Sequence, residues 1–376
     1  MKATRWAGLI LCFLLAMPVQ AAEPKSALLM DAATGTVLYE SNAHEALAPA
    51  SVTKVMTLLL IMEAVDSGRI GWEDTVTASE TAAAKGGSQV YLKVGETMTV
   101  SDMVKSIAVS SANDCACAMA EHLAGSETAF VELMNKRAAD LGMNDTHFVN
   151  CTGLDDDPAA KSHRTSAHDI AVMSRELLVN HPDIKNFTTI WMDTIRDGAF
   201  GLSNTNKMVR YYPGCTGLKT GFTSGAGYCL SASAQRDGME LIAVVMGAET
   251  SQDRFAACKG MLDQGFANYA LYSPNIQEGA AVPVTLGQAD SVAVIPEQIP
   301  RILVERAKLP DVSSEIILSP QADAPIVQGQ KLGTLTIRAG EEILAEVNLV
   351  AENKVPQLTW GQVTARVLRQ VAMAQD

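Results

Sequence analysis

Ser51 and Lys54 stand three residues apart in Ala50-Ser51-Val52-Thr53-Lys54-Val55, and apolar residues recur afterwards at Val55, Met56, Leu59, Leu60 and Met62. That recurrence has helical spacing. It predicts Ser51 on a first helical turn and Lys54 one turn later on the same face, an amine beside a hydroxyl. An amine kept in an apolar, partly desolvated site loses its proton readily and can serve as a base, which would make Ser51 an acyl-accepting nucleophile. Serine is also a common helix N-cap, so the pair alone leaves both roles open. Two further motifs follow in order. Ser111-Ala112-Asn113 lies between two helical patterns, and Lys219-Thr220-Gly221 lies in a β-rich stretch. Ser-x-x-Lys, Ser-x-Asn and Lys-Thr-Gly together form a set used for acyl transfer through a serine ester.

With these motifs the chain resembles the low-molecular-mass penicillin-binding proteins that act as serine-type D-alanyl-D-alanine carboxypeptidases (peptidase S11-like). The matching residues are Pro49-Ala50-Ser51-Val52-Thr53-Lys54, Ser111-Ala112-Asn113-Asp114, Thr146-His147-Phe148, Gly217-Leu218-Lys219-Thr220-Gly221 and Ala226-Gly227-Tyr228. The likeness runs from about Lys25 to about Val350. It implies that Ser51 attacks the penultimate D-Ala carbonyl with Lys54 as base. Ser111 would relay the proton to the leaving amine, and Asn113 would orient Lys54 and the substrate amide. The family pattern puts the oxyanion donors at the backbone N–H of Ser51 and of Phe222. Lys219 and Thr220 would hold the peptide's terminal carboxylate, beside a Gly221 that leaves room for substrate. Arg254 matches a family position that adds positive charge there, and Lys85-Gly86-Gly87-Ser88 would wall the cleft. The implied substrate is a peptidoglycan stem peptide ending in D-Ala-D-Ala. β-Lactams are the implied covalent inhibitors, and no metal or organic cofactor is called for.

Three other functions share parts of this pattern. A β-lactamase would need a glutamate-bound water, and Glu176 with Asn180 is the available pair. Glu176 falls in an amphipathic helix with Met173, Leu177 and Leu178, which reads as a surface position. An endopeptidase cutting peptide cross-links would use the same residues as a carboxypeptidase. A non-catalytic penicillin-binding sensor needs no nucleophile, whereas Ser51, Lys54, Ser111, Asn113 and Lys219 are all present.

The elements that must position these residues follow from periodicity. Ala27–Met30 and Thr36–Tyr39 flank a Gly-containing turn and read as a β-hairpin. Helices are predicted from Ser51 to near Gly68 and over Val100–Val109, Asp114–Leu123, Glu127–Leu141 and Ser166–Val179, with Ser126 as an N-cap and Gly142 just past an end. Ala82–Gly95 and Asp155–Arg164 read as loops. His163 and His168, near a helix start, suit capping or packing better than metal ligation. Thr188–Ile195 alternates like a strand. Leu218–Thr223, Tyr228–Ala234 and Met239–Val245 give three more, with Asp237-Gly238 as a hairpin turn. Gln252–Tyr272 reads as a closing helix. The pattern is a mixed α+β (α/β) fold with one sheet covered by helices, and the resemblance makes it β-lactamase/transpeptidase-like.

The expected organisation is a signal peptide over 1–21, the serine carboxypeptidase unit over 22–274, a small all-β domain over 275–354 and an amphipathic tail helix over 355–376. Lys2 and Arg5 precede an apolar stretch from Ala7 to Met17, and Val19-Gln20-Ala21 suits cleavage after Ala21, so the protein is expected to be exported. Short strands with turn residues fill the β-rich segment. In the tail, Leu358, Trp360, Val363, Val367, Leu368 and Val371 fall mostly on one helical face, away from Arg366 and Arg369, which suggests a membrane-surface anchor. With Cys12 in the leader, Cys115, Cys117, Cys151, Cys215, Cys229 and Cys258 remain, and their spacing suits small buried residues rather than a disulfide framework or a zinc site. The 376 residues carry a net charge of −13, which excludes the basic footprint of a nucleic-acid binder.

Overall fold

The computed structural model describes residues 23–274, 279–298 and 300–373. The expected leader, with Cys12, lies outside them. β1 (Ser26–Asp31) and β2 (Val37–Ser41) form the predicted hairpin. β3 (Cys215–Thr223), β4 (Gly227–Arg236) and β5 (Met239–Ala248) come much later in the chain, yet β5 pairs with β1. The sheet order is therefore β2-β1-β5-β4-β3, antiparallel throughout, with β3 at an edge. Asp237 and Gly238 both take positive φ (50° and 79°), as a two-residue hairpin turn between right-twisted strands requires.

The central strand reads Leu241-Ile242-Ala243-Val244-Val245-Met246 without a polar residue because both faces are covered. Side chains alternate across a strand. Leu241, Ala243 and Val245 meet Cys258, Leu262 and Phe266 of α6 (Ser251–Asn268), while Ile242, Val244 and Met246 face the helical block. That block comprises α1 (Lys54–Asp66), α2 (Val100–Ser110), α3 (Asn113–Ala124), α4 (Glu127–Asp140) and α5 (Ala167–Asn180). α1 is apolar on nearly every side and is buried at its centre. Thr99, Ser126, Ser166 and Thr250 each accept a backbone N–H at 3.1 Å from the residue three further on, which fixes four helix starts.

Two local expectations need correction. Lys185–Thr188 is a helical turn, with the Thr188 hydroxyl donating to Thr216 O at 2.6 Å, so only Met192–Ile195 of the predicted Thr188–Ile195 strand is extended. The closing helix also ends at Asn268. Its last predicted turn, Tyr269–Tyr272, is β6, because Ile302–Glu305 offers it a strand partner. Within the predicted Ala82–Gly95 loop the chain is irregular, as expected, after a helical turn at Glu80–Ala83.

The C-terminal part is all-β. It contains β7 (Ala281–Thr285), β8 (Ser291–Pro296), β9 (Ile302–Glu305), β10 (Val312–Leu318), β11 (Ala322–Asp323), β12 (Lys331–Ala339) and β13 (Glu342–Ala351). Six of them form one sheet in the order β10-β12-β13-β8-β7-β11 over a core that includes Val282, Val294, Leu335, Ile337 and Leu349. β9 instead pairs with β6 in four registered positions, Tyr269 with Glu305 through Tyr272 with Ile302, and Arg306 Nε donates to Phe266 O at 2.9 Å beside it. The last described element is α7 (Trp360–Met373). Trp360, Val367 and Leu368 on it are exposed, and Arg366 forms an ion pair with Asp290 of the β domain. No helix among the described residues is long and apolar enough to cross a membrane.

Candidate active site

Ser51 lies in a tight 3-10 turn, Ala50–Thr53, that leads straight into α1. It does not cap that helix, so its hydroxyl is free for chemistry. Ala50 just before it has φ of 48°, a left-handed conformation that costs an alanine energy and must be held by its surroundings. The holding is specific. Thr53 Oγ1 donates to Ala50 O at 2.8 Å and lies 2.8 Å from His163 Nε2, while Val149 N donates to His163 Nδ1 at 3.1 Å. The Val149 bond requires an unprotonated Nδ1, so His163 is the Nε2–H tautomer and donates to Thr53. Burial, then the neighbouring His147 and Lys54, pull its pKa down to about 4, which keeps the ring neutral. Gly153 closes over this turn. A Cβ there would stand 1.8 Å from Ala50 O.

Lys54 is fully buried and donates from Nζ to Ser51 Oγ at 3.0 Å and to Thr152 O at 2.8 Å. Burial lowers its pKa from 10.5 to about 7, although the nearby Cys151 and Asp114 favour the charged form. An amine that loses its proton near neutral pH can take one from the serine it touches. Asp114 is itself spent on structure, accepting from Val90 N at 3.1 Å, Leu92 N at 3.0 Å and Cys115 N at 2.9 Å.

Ser111 ends α2 with φ of 63°. Ser111 does not cap the next helix: Ala112 is the N-cap of α3 and no side chain caps that end. Ser111 Oγ is buried without a hydrogen-bond partner, a costly state for a hydroxyl that serves no ligand. Asn113 departs from expectation. Its Nδ2 donates to Gly86 O at 2.7 Å and its backbone N to Ser88 O at 2.7 Å, which fixes the predicted cleft wall, and no bond joins it to Lys54. Asn113 Oδ1 is buried and unpartnered.

The edge strand β3 supplies the third motif. Its Gly221 passes so close to the Ser51 turn that a Cβ would stand 2.8 Å from Pro49 O and 3.0 Å from Ser51 N. Strand-to-turn contact thus requires a glycine here. The same approach brings the backbone N–H of Ser51 beside the strand that carries Phe222, whose own ring is 53% exposed and stacks on Tyr228 at 4.2 Å. Thr220 Oγ1 donates to Thr205 Oγ1 at 2.6 Å. Lys219 is covered, donating to Thr220 O at 2.9 Å. Burial, then the charges of Lys54 and Arg254, hold its amine well below 10.5. Arg254 is buried rather than displayed. It donates to Gly221 O at 2.8 Å and to Cys229 O at 3.3 Å, bracing β3 from behind.

Sequence reasoning missed Thr152, Thr205 and the partners of His163, whose structural role it had favoured over metal ligation. Thr152 contributes only a backbone carbonyl and carries no side-chain signal. Thr205 sits in the polar run Asn204-Thr205-Asn206, which its setting between β-patterned stretches could have flagged. Glu176, offered by the sequence as a surface position, is half-buried, binding Arg137 at 2.6 Å and Asn180 at 2.8 Å. Arg137 also pairs with Glu63 at 2.6 Å, near the C-terminal end of α1. Twelve residues of chain, about 18 Å of helix rise, separate Glu63 from Ser51. All six described cysteines are free, and all but Cys215 are buried.

The family described as D-alanyl-D-alanine carboxypeptidase (peptidase S11) matches residues 15–250, and the penicillin-binding protein 5 C-terminal domain matches residues 266–357. The D-alanyl-D-alanine carboxypeptidase DacF of Bacillus subtilis is 45% identical over 337 residues, covering 88% of this chain and 85% of that protein. Penicillin-binding protein 5 from Haemophilus influenzae is similar in structure, with a TM-score of 0.74 and 30% identity over 91% of this chain and 99% of that one. Penicillin-binding protein D2 from Listeria monocytogenes, solved in an ampicillin-bound form, has a TM-score of 0.59 and 33% identity over 65% of this chain and 97% of its own. On this evidence the chain belongs to the peptidase S11 family of serine-type D-alanyl-D-alanine carboxypeptidases, with a penicillin-binding protein 5-like all-β domain at its C-terminal end.

Proposed function

We propose that this enzyme removes the terminal D-Ala from peptidoglycan pentapeptide stems through an acyl-Ser51 intermediate, and that penicillin acylates the same oxygen. The carrying observation is the buried Lys54 amine, 3.0 Å from Ser51 Oγ and held by a carbonyl instead of a carboxylate. Such an amine is neutral for much of the time near pH 7 and is aimed at the hydroxyl it must deprotonate.

Ser51 Oγ attacks the penultimate D-Ala carbonyl while its proton passes to Lys54. The tetrahedral oxyanion rests on the N–H groups of Ser51 and Phe222. The unpartnered Ser111 hydroxyl hands a proton to the departing D-Ala nitrogen and is resupplied by Lys54, so the C–N bond breaks and the ester remains. Water then attacks the ester with the same base, releasing the shortened peptide and restoring Ser51. The terminal carboxylate is met by the hydroxyls of Thr220 and Thr205, backed by Lys219. An arriving anion favours the charged form of Lys219 and offsets the desolvation that depresses it in the free site. Asn113, with Oδ1 unspent, takes the substrate's amide N–H.

Export would put this chemistry on the outer face of the cytoplasmic membrane. Residues 22–274 would act on the wall, 275–354 would hold them off the surface, and the tail from 355 would lie along the lipid headgroups. The deciding assay is D-Ala release from a diacyl-Lys-D-Ala-D-Ala peptide, with intact-mass detection of the penicilloyl adduct. Release by the wild type and its loss in Ser51→Ala are expected. Binding of penicillin without any D-Ala release would instead mark a sensor.

A further inference from the structure

The Thr152 carbonyl that holds Lys54 must itself be held. Its segment lies along α1, where Cys151 O accepts Thr57 Oγ1 at 2.7 Å and Thr152 O accepts Lys54 Nζ at 2.8 Å. Residues 54 and 57 are one turn apart, so two consecutive carbonyls are laid down one helix face. The opposite side of Cys151 meets Glu127, the first residue of α4. Glu127 Oε1 accepts Cys151 N and Cys151 Sγ, each at 3.2 Å, and Oε2 accepts Lys85 Nζ at 2.5 Å. Cys117 Sγ lies 4.0 Å from Oε2. Burial opposes the charge on Glu127, yet the bonded Lys85 keeps its carboxyl below the ordinary range, so it is an anion with fixed partners. We propose that Glu127 is a positioning residue for the reaction: by clasping Cys151 it sets the Thr152 carbonyl on Lys54 and so aims the amine at Ser51.

This rests on Lys54 being the base, and the acid limb of the acylation rate against pH reports on both. A carbonyl acceptor favours the ammonium, so losing it moves the limb to lower pH while the misdirected amine lowers the plateau. Of the other groups facing Lys54, Asp114 on α3 favours its charge and keeps its own backbone partners in every variant, while Cys151 favours it too but moves with the segment that Glu127 holds. Lys219 on β3 is a second amine whose charge and that of Lys54 oppose each other, and His163 is neutral over the range tested. Glu127→Ala should shift the limb downward by about one pH unit, the scale of one hydrogen bond to a charged group. It should lower the plateau about tenfold or more, as a small misplacement does.

Glu127→Gln loses the charge but keeps an oxygen for Cys151 N, and should hold the wild-type limb. Glu127→Asp keeps the charge but lacks the reach, and should behave as Ala does. It carries the test if the alanine protein fails to bind one penicillin per molecule. The measurement is the second-order acylation constant for a fluorescent penicillin from pH 5 to 9, at matched thermal midpoints. A limb unmoved in both Ala and Asp variants overturns the proposal, as does one moved equally in Gln. A limb that persists in the residual acylation of Lys54→Ala would instead overturn the assignment of Lys54, and the proposal with it.

Discussion

Lys54 is bonded to a hydroxyl and a carbonyl, and that choice of partners decides its chemistry. A carboxylate in contact would hold the proton on the amine, whereas burial without one brings the pKa down to about 7. Acylation by penicillin should therefore fall as the pH drops below about 7, because protonation removes the base. Stopped-flow rates across that range would show it, and a rate flat down to pH 5 would exclude Lys54. Lys54→Ala should slow acylation at least about 100-fold, the lower end for loss of a general base, while Ser51→Ala should leave no adduct by mass. Lys219→Ala should cost on the order of 2–4 kcal/mol in kcat/KM for a peptide with a free carboxylate. A C-terminally amidated peptide should be poor for the wild type and lose little further. Equal losses on both peptides would take the carboxylate role away from Lys219.

At the scale of elements, the site is an edge strand pressed against a turn. Gly221 allows that contact, and Gly221→Ala should push β3 away from Ser51 N by the width of a methyl group. Far-ultraviolet circular dichroism should be unchanged, but acylation should fall about 100-fold, since small displacements of reacting groups carry penalties of that order. Retention of the wild-type rate would mean that the turn and strand are not held as closely as the 3.0 Å approach implies. This level also explains what could be read from the chain. Ser51 and Lys54 were legible because one helical turn fixes their separation, and the helix starts were legible because their caps are local. Thr205 and Thr152 were not, since each enters the site only through a long-range approach, one of them by its backbone. The Gln252–Tyr272 helix was overextended for the same reason. Tyr269–Tyr272 becomes a strand through a partner strand that begins only at Ile302.

The whole molecule joins a carboxypeptidase unit to an all-β domain that contributes none of the site residues described above. Removing the chain from Pro356 onward should leave D-Ala release from soluble peptide unchanged and release the protein from lipid vesicles. Equal vesicle sedimentation of the full-length and shortened forms would remove the tail anchor. The junction between the two parts has a mechanical consequence. Because β6 and β9 are zipped over four positions and tied again through Arg306, bending there requires peeling a ribbon rather than swivelling a single strand of linker. An enzyme on a slack tether sweeps a hemisphere around its point of attachment. Were the tail to hold the chain at a membrane, such a post would keep the site at nearly constant altitude, and the depth of wall trimmed would then be set by the length of the β domain.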